Sequence, residues 1–294
     1  MARTDFPPVR ACLFDMDGLL LDTEDIATRC HSLVLAMHDR PPLPPRVKAQ
    51  MLGRTATNAT QILQGWARLP ISNEEYRKEV SKHQKMLFPY SSPLPGVATL
   101  LRNLDKTKEF DTSGNAEDGP KRVHIALATS SSQEAFTAKT KNLSDLFSVF
   151  EPHRRILGDD PRMSSSRGKP SPDIFQLALK AINDSLAEGE KPIAPEECLV
   201  FEDSAVGVEA GRRAGMRVIW CPLQMLAEEY AGMEAEVLAG RTGAAVDNEP
   251  HQVGEIGDGW AERVDSLVNF DYEKYGITLP QAKANGTKGD ENED

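Results

Sequence analysis

The chain has no run of about 18 apolar residues, so no segment is long enough to cross a bilayer as a helix. It has no basic stretch followed by an apolar one at its start. Met1 to Arg10 is short, polar and proline-containing, and no secretory leader is expected. The four cysteines, Cys12, Cys30, Cys198 and Cys221, lack the paired spacing of a metal site. Three of them fall on or beside expected buried strands, which predicts reduced core thiols in a cytoplasmic protein. Basic residues are in deficit, 34 against 45 acidic, and a net charge of −11 argues against nucleic acid as a partner. Internal repeats are absent too, which excludes a solenoid or propeller. At 294 residues the chain suits one large or two modest domains with a sizeable core.

What is there is concentrated in four short segments. Ala11-Cys12-Leu13-Phe14 is an apolar strand that runs into Asp15-Met16-Asp17-Gly18, followed by Leu19 to Glu24. Carboxylates at the edge of a core are costly unless a cation meets them. Alternation would place Asp15 and Asp17 on one side of the extended chain, and Gly18 lets the backbone turn away. Such a pair suits Mg²⁺ with a phosphate beside it, and offers one aspartate to attack phosphorus and another to move a proton. A strand cap followed by a turn accounts for the same residues equally well. The second segment, Val123 to Ala128, is a buried strand ending in Thr129-Ser130-Ser131-Ser132, before a helix start at Gln133-Glu134. Its hydroxyls and backbone N–H groups can hold phosphate oxygens, or simply cap the helix.

In the third segment, Gly168-Lys169-Pro170-Ser171-Pro172-Asp173, Lys169 stands just before a helix that carries Ile174, Phe175, Ala178, Leu179 and Ile182 on its apolar positions. An ordinary surface lysine is the alternative to a charge-neutralising one. The fourth, Cys198 to Phe201, is again a buried strand and ends in Glu202-Asp203. A small-residue helix closed by Gly215 follows, then a strand over Arg217 to Cys221. Gly207 and Gly211, four apart, are expected to let that helix lie close against its neighbours. Each segment alone has a structural account; the four together form a phosphate-and-metal set.

Strands that end in polar residues and alternate with helices predict a parallel sheet with helices on both faces and ligands at the carboxyl ends. From Asp22 to Ser92 that strand rhythm is missing. Helices are expected there over 24–37, 46–51, 57–67 and 73–88. Pro41 to Pro45 reads as a rigid connection, with a proline-rich recognition ligand as the alternative, and Ser91-Ser92-Pro93 as a hinge. Asp105 to Pro120 (residues 105–120) reads as a polar insertion, Gly232 to Gly259 as loop-rich, and residues 281–294 as an acidic tail unable to fold. Trp260 to Tyr275 is expected to add a final helix.

These segments, in this order, resemble the phosphatases of the haloacid dehalogenase superfamily, from about Ala11 to Cys221 and more weakly through Tyr275. Leu157-Gly158-Asp159-Asp160-Pro161, Gly168 to Phe175 and Cys198 to Asp203 are most similar to the pseudouridine-5′-phosphatase-like group. Ala126 to Ser131, and Phe88-Pro89 before Pro95-Gly96, add to that likeness. The resemblance implies an α/β fold, with a Rossmann-like three-layer core made of residues 1–21 and 93–280 and an inserted α-helical cap over 22–92. It implies a Mg²⁺-dependent phosphomonoesterase, cytoplasmic, acting on a small phosphorylated metabolite, with neither nucleic acid nor membrane as a partner. Asp15 would be the nucleophile. Asp17 would be the general acid and then the base, with a pKa raised by desolvation. Mg²⁺ would be held by the Asp15 carboxylate, the Asp17 main-chain carbonyl and Asp203, with Glu202 in or beside its shell. Thr129, the Ser130 N–H and Lys169 would bind the phosphoryl oxygens.

Specificity in this group comes from the cap, where Thr23, Arg54, Thr55, Thr57 and Asn58 are candidates; each serves equally well as a solvated or capping residue. Pseudouridine 5′-phosphate leads as substrate, with glycerol phosphate, deoxyglucose 6-phosphate and FMN open. The similar β-phosphoglucomutases carry a cap histidine and a cap arginine where, by spacing, this chain has Ala27 and Ala56, which favours hydrolysis. A catalytically idle member that binds a phosphorylated ligand would need a broken motif, and Asp15, Asp17, Lys169, Glu202 and Asp203 are all intact.

Overall fold

The computed structural model of the chain describes residues 2–110, 121–163, 168–241 and 254–280. Among them are six strands: β1 (Ala11–Phe14), β2 (His124–Ala128), β3 (Arg155–Ile156), β4 (Cys198–Glu202), β5 (Arg217–Trp220) and β6 (Ala261–Arg263). They form one sheet, paired in parallel throughout, in the order β3-β2-β1-β4-β5-β6. Successive side chains go to opposite faces. Cys12, Phe14, Ile125, Leu127, Leu199 and Phe201 enter one core cluster. Ala11, Leu13, Ala126, Ala128, Cys198 and Val200 enter the other. Burial on both faces is why these strands read as continuous apolar runs. The chain steps from β1 to β2 to β3 toward one edge, then returns to β4 on the far side of β1. The carboxyl ends of strands at such a switch point are where open α/β sheets bind ligands.

Between β1 and β2 the chain first makes α1 (Glu24–Met37), α2 (Pro45–Met51), α3 (Ala56–Ala67) and α4 (Asn73–Leu87). These helices pack on an apolar cluster of their own that includes Cys30, Val34, Leu63, Tyr76 and Val80. Thr55 caps α3, and Ser72 with Glu75 forms a capping box at α4. Where the chain leaves and re-enters the sheet region, Leu21 bridges Pro93 and the Asp22 N–H donates to the Ser92 carbonyl. After α5 (Val97–Lys106) come α6 (Gln133–Thr140), α7 (Ser144–Phe147), α8 (Asp173–Asn183), α9 (Ala205–Arg213), α10 (Gln224–Glu229) and α11 (Glu234–Leu238). α5, α6 and α7 contribute to the first sheet face, α8 and α9 to the second, giving three layers. Among the described residues, no helix is long and apolar enough to cross a membrane.

Three sequence expectations change. The polar insertion begins later than Asp105: Asp105 and Lys106 complete α5, and a 3₁₀ turn over Thr107–Glu109 follows. Thr107 is buried there, donating to the Leu104 carbonyl and accepting from the Val123 N–H. The remainder, 111–120, lies outside the described residues. The stretch from Gly232 contains the short helix α11, while 242–253 and the tail over 281–294 lie outside the description. Trp260 to Tyr275 is not a helix. Ala261–Arg263 is a strand, because the open edge of β5 offers backbone partners: the Val218 N–H donates to Trp260 O and the Val264 N–H to Trp220 O. Only a 3₁₀ turn at Glu273–Tyr275 is helical in that segment. The spacing of Trp260, Val264 and Leu267 mimics a helix in sequence, but backbone pairing with the sheet decides the conformation.

Candidate active site

Asp15 follows β1, Thr129 follows β2, and Glu202 ends β4 with Asp203 next. Phe14 pairs with Leu127 on one side and Phe201 on the other, so sheet register alone brings these three strand ends together. Lys169 arrives from the turn before α8. Its Nζ donates to Asp15 Oδ1 at 2.5 Å, to Glu202 Oε1 at 2.5 Å and to the Ala128 carbonyl at 3.3 Å. The side chain is 0% exposed, which disposes of the surface-lysine alternative. Glu202 Oε2 accepts from Ser204 Oγ at 3.2 Å and from Ser204 N at 3.4 Å. The close approach expected at the two glycines seats this carboxylate. A Cβ at Gly207 would overlap it, and one at Gly211 would press on Val218 and Val200.

Charge does not balance here. Asp15, Glu202 and Asp203 are buried, each offering a carboxylate oxygen within 4.8 Å of the others, and Lys169 is the cation among them. Burial pushes Asp15 above the usual carboxylate range; Lys169 pulls it down and Glu202 pushes it up again. Burial, then Asp15 and Glu202, push Asp203 well above its ordinary value. Asp203 Oδ2 has no hydrogen-bond partner among the described residues. Gly18, at φ 78°, leaves open the space beside that oxygen that a Cβ would fill. An all-oxygen donor set, surplus negative charge and an unpartnered buried oxygen fit a hard divalent cation such as Mg²⁺.

Asp17 is bound differently. Its Oδ1 accepts from Lys139 Nζ at 2.5 Å and Thr23 Oγ1 at 2.6 Å, and its Oδ2 accepts from Ser131 Oγ at 2.6 Å. Lys139 also donates to Ser131 Oγ at 2.8 Å and lies 4.4 Å from the centre of the Phe88 ring. Burial acts to raise Asp17, but the Lys139 charge and these hydrogen bonds outweigh it and hold the carboxyl below its usual range. The raised pKa expected from desolvation alone is corrected by this finding. Sequence reasoning missed Lys139, which stands 122 residues from its partner. Its one signal was a lysine on the side of α6 that also buries Phe136 and Thr140.

Asp15, Asp17, Thr129, Ser130 and Lys139 line a cavity of about 390 Å³, whose further wall includes Arg54, Thr55 and Thr57. Ser130 Oγ donates to the Gly53 carbonyl at 2.9 Å, and Thr129 Oγ1 accepts from the Ser131 N–H at 3.1 Å. Lys169, Glu202 and Asp203 are not on this wall, although Lys169 and Glu202 meet through Asp15, which is. Of the cap candidates, Thr23 and Asn58 are also off it. Thr23 is buried and holds Asp17, and Asn58 spends its N–H on Thr55 Oγ1.

The profile of the haloacid dehalogenase-like hydrolases matches residues 9–215. A Saccharomyces cerevisiae protein named probable pseudouridine-5′-phosphatase is 35% identical over 269 residues, 92% of this chain and 98% of its own length. An Arabidopsis thaliana protein named (DL)-glycerol-3-phosphatase 1, mitochondrial, is 34% identical over 229 residues, 77% of this chain and 68% of its own. Among solved structures, CbbY from Rhodobacter sphaeroides in complex with phosphate aligns over 89% of this chain and 96% of its own. Its TM-score is 0.61 at 19% identity, a likeness of fold. With a match that spans most of the sheet, and with all four segments gathered at the carboxyl ends of its central strands, the chain belongs to the haloacid dehalogenase-like hydrolase family, among its phosphatases.

Proposed function

We propose that this phosphatase hydrolyses a small phosphate monoester through an aspartyl-phosphate on Asp15, uses Mg²⁺, and takes pseudouridine 5′-phosphate as its leading substrate. The observation that carries the reading is the convergence on Asp15: it lines the cavity, contacts Lys169, and shares an unbalanced carboxylate cluster with Glu202 and Asp203. Asp15 would attack phosphorus as the bond to the leaving oxygen breaks; Asp17, ionised while Lys139 holds it in the free site, would take up a proton as the phosphate dianion enters beside it and give that proton to the leaving oxygen. In the second half, water attacks the aspartyl-phosphate, Asp17 takes the water's proton, and Asp15 is released with inorganic phosphate. Thr129, the Ser130 N–H and Lys169 are assigned to the phosphoryl oxygens, Lys169 acting through its contact with Asp15. Asp15, Asp203 and the Asp17 carbonyl, with Glu202 beside them, would hold Mg²⁺, which when bound neutralises phosphate charge and orients the in-line attack.

Residues 22–92 would serve as a cap over this cavity, with Arg54, Thr55 and Thr57 facing the substrate. Ala27 and Ala56, which by spacing stand where the mutases carry the histidine and arginine, both line the cavity, which supports hydrolysis. Four free cysteines, three of them buried, support a reducing, cytoplasmic setting.

Phosphate release with Mg²⁺ across pseudouridine 5′-phosphate, UMP, glycerol 3-phosphate, hexose phosphates and FMN tests this, with EDTA as control. Preference for pseudouridine 5′-phosphate over UMP, lost in EDTA and restored by Mg²⁺, is expected. A maximum on glycerol 3-phosphate would keep the chemistry and move the substrate toward that of the Arabidopsis relative. No turnover of any ester by folded protein would leave a phospho-ligand-binding protein.

Lys139 belongs in this reading as a positioning residue. Without it Asp17 keeps only the Thr23 and Ser131 hydroxyls and loses the cation that sets its position, so the carboxylate shifts. Misplacement of this order costs about 10²-fold. Lys139→Met is therefore expected to lower kcat by about that factor with KM little changed, and Lys139→Arg to recover part of it. Wild-type kcat in Lys139→Met would remove this residue from the mechanism.

A further inference from the structure

A second cavity, of about 310 Å³, opens between α1, α3, α4 and α6. It shares His31, Ala56, Ala59, Gln84, Phe88 and Ala135 with the wall of the first cavity, so the two are joined. Ser132 lines both cavities as well, and at this junction Ala56, Ala59 and Ala135 present only methyl groups, which keeps the passage open. His31 is fixed there: its Nδ1 meets the hydroxyl of buried Tyr76 at 2.6 Å, and the rings stack at 6.0 Å with 11° between planes. With Nδ1 engaged, Nε2 is the edge left for another partner. Burial, with Lys48 nearby, pushes His31 down to about 4, so the ring is neutral near pH 7. Gln84 stands one helical turn before Phe88, whose N–H donates to the Gln84 carbonyl. The Gln84 side-chain amide has no hydrogen-bond partner among the described residues.

We propose that the second cavity is the leaving-group end of the same site, and that His31 and Gln84 read a planar heterocycle whose edge pairs an N–H with a C=O. A side-chain amide offers one donor and one acceptor side by side, which is the complement of such an edge. A neutral imidazole adds one further donor or acceptor. Recognition of this kind favours a nucleoside-like monoester over a glycerol or other short polyol phosphate, which fills the first cavity and leaves the second to water. The inference rests on the first cavity being the phosphomonoester site, and it goes beyond that reading by assigning the substrate's far end.

The test compares wild type with Gln84→Leu, His31→Leu and the junction-blocking Ala56→Phe. Ala56 is exposed at the start of α3, so the bulk falls into the passage and not into the core. The readout is the ratio of kcat/KM for pseudouridine 5′-phosphate to that for glycerol 3-phosphate. Each variant is expected to lower this ratio by roughly tenfold, the effect of about one lost hydrogen bond or one blocked contact. A ratio unchanged in all three, whatever happens to the absolute rates, overturns the proposal and leaves the hydrolase reading standing. If wild type turns over neither ester, thermal stabilisation by phosphate-free pseudouridine decides. Stabilisation lost in Gln84→Leu supports the subsite while the hydrolase reading falls. No stabilisation, or stabilisation kept by Gln84→Leu, overturns it.

Discussion

Asp15→Asn is expected to lower phosphate release by more than about 10⁴-fold while leaving the thermal midpoint of the metal-free protein unchanged or higher. The two halves of that outcome have separate causes. An amide has the shape of a carboxylate but cannot attack phosphorus, so the covalent route closes whatever else the site retains. Stability survives because Lys169 keeps Glu202 as a partner at 2.5 Å. The substitution also removes a carboxylate that burial makes costly to ionise, and whose charge raises Asp203 in turn. Thermal unfolding and turnover measured on one preparation check both halves. More than about 1% residual turnover would remove Asp15 as nucleophile. A collapsed midpoint would instead mean that the Asp15 charge is needed to hold Lys169.

Much of this site was legible in sequence because each part sits where a buried strand stops. An apolar strand advertises its end, and although each end alone could be a cap or a turn, the four segments together singled out Asp15, Glu202 and Asp203 before any pairing was known. Gly207 and Gly211 were legible for a related reason: small residues four apart on a helix ask for a close neighbour, and Glu202 with Val200 is that neighbour. The illegible parts depend on contacts between distant segments. Lys139 gains its meaning only when β2 lies beside β1 and the helix after it brings a cation to Asp17. Thr23 read as a specificity residue because the sequence could not say that its hydroxyl is already spent on Asp17. β3 has two residues, too few for alternation to register, and β6 took its conformation from the edge it joins.

Lys169→Met is the harsher change, and it is expected to act on the fold as well as on catalysis. The ammonium group is wholly buried between Asp15 and Glu202, and thioether replacement leaves those carboxylates and Asp203 together with no protein cation. Breaking a buried ion pair from one side costs about 3–5 kcal/mol, because the remaining charge is stranded. The loss should depend on pH in a defined sense. Asp15 and Asp203 already lie above the ordinary carboxylate range with Lys169 present, and they rise further without it. From about pH 4 upward the unfolded chain gives up protons that the folded variant keeps. The folded state then binds more protons, so stability falls as pH rises through that window. Denaturant midpoints of Lys169→Met should accordingly be closer to wild type at pH 5 than at pH 8. Added Mg²⁺, binding only the folded state, should recover part of the difference at the higher pH. Turnover should stay depressed by at least about 10²-fold even where stability returns, since the cation that contacts Asp15 beside the phosphate is gone. A variant as stable as wild type at both pH values, with or without Mg²⁺, would mean that the buried carboxylates carry protons in the native protein and that Lys169 balances no charge there.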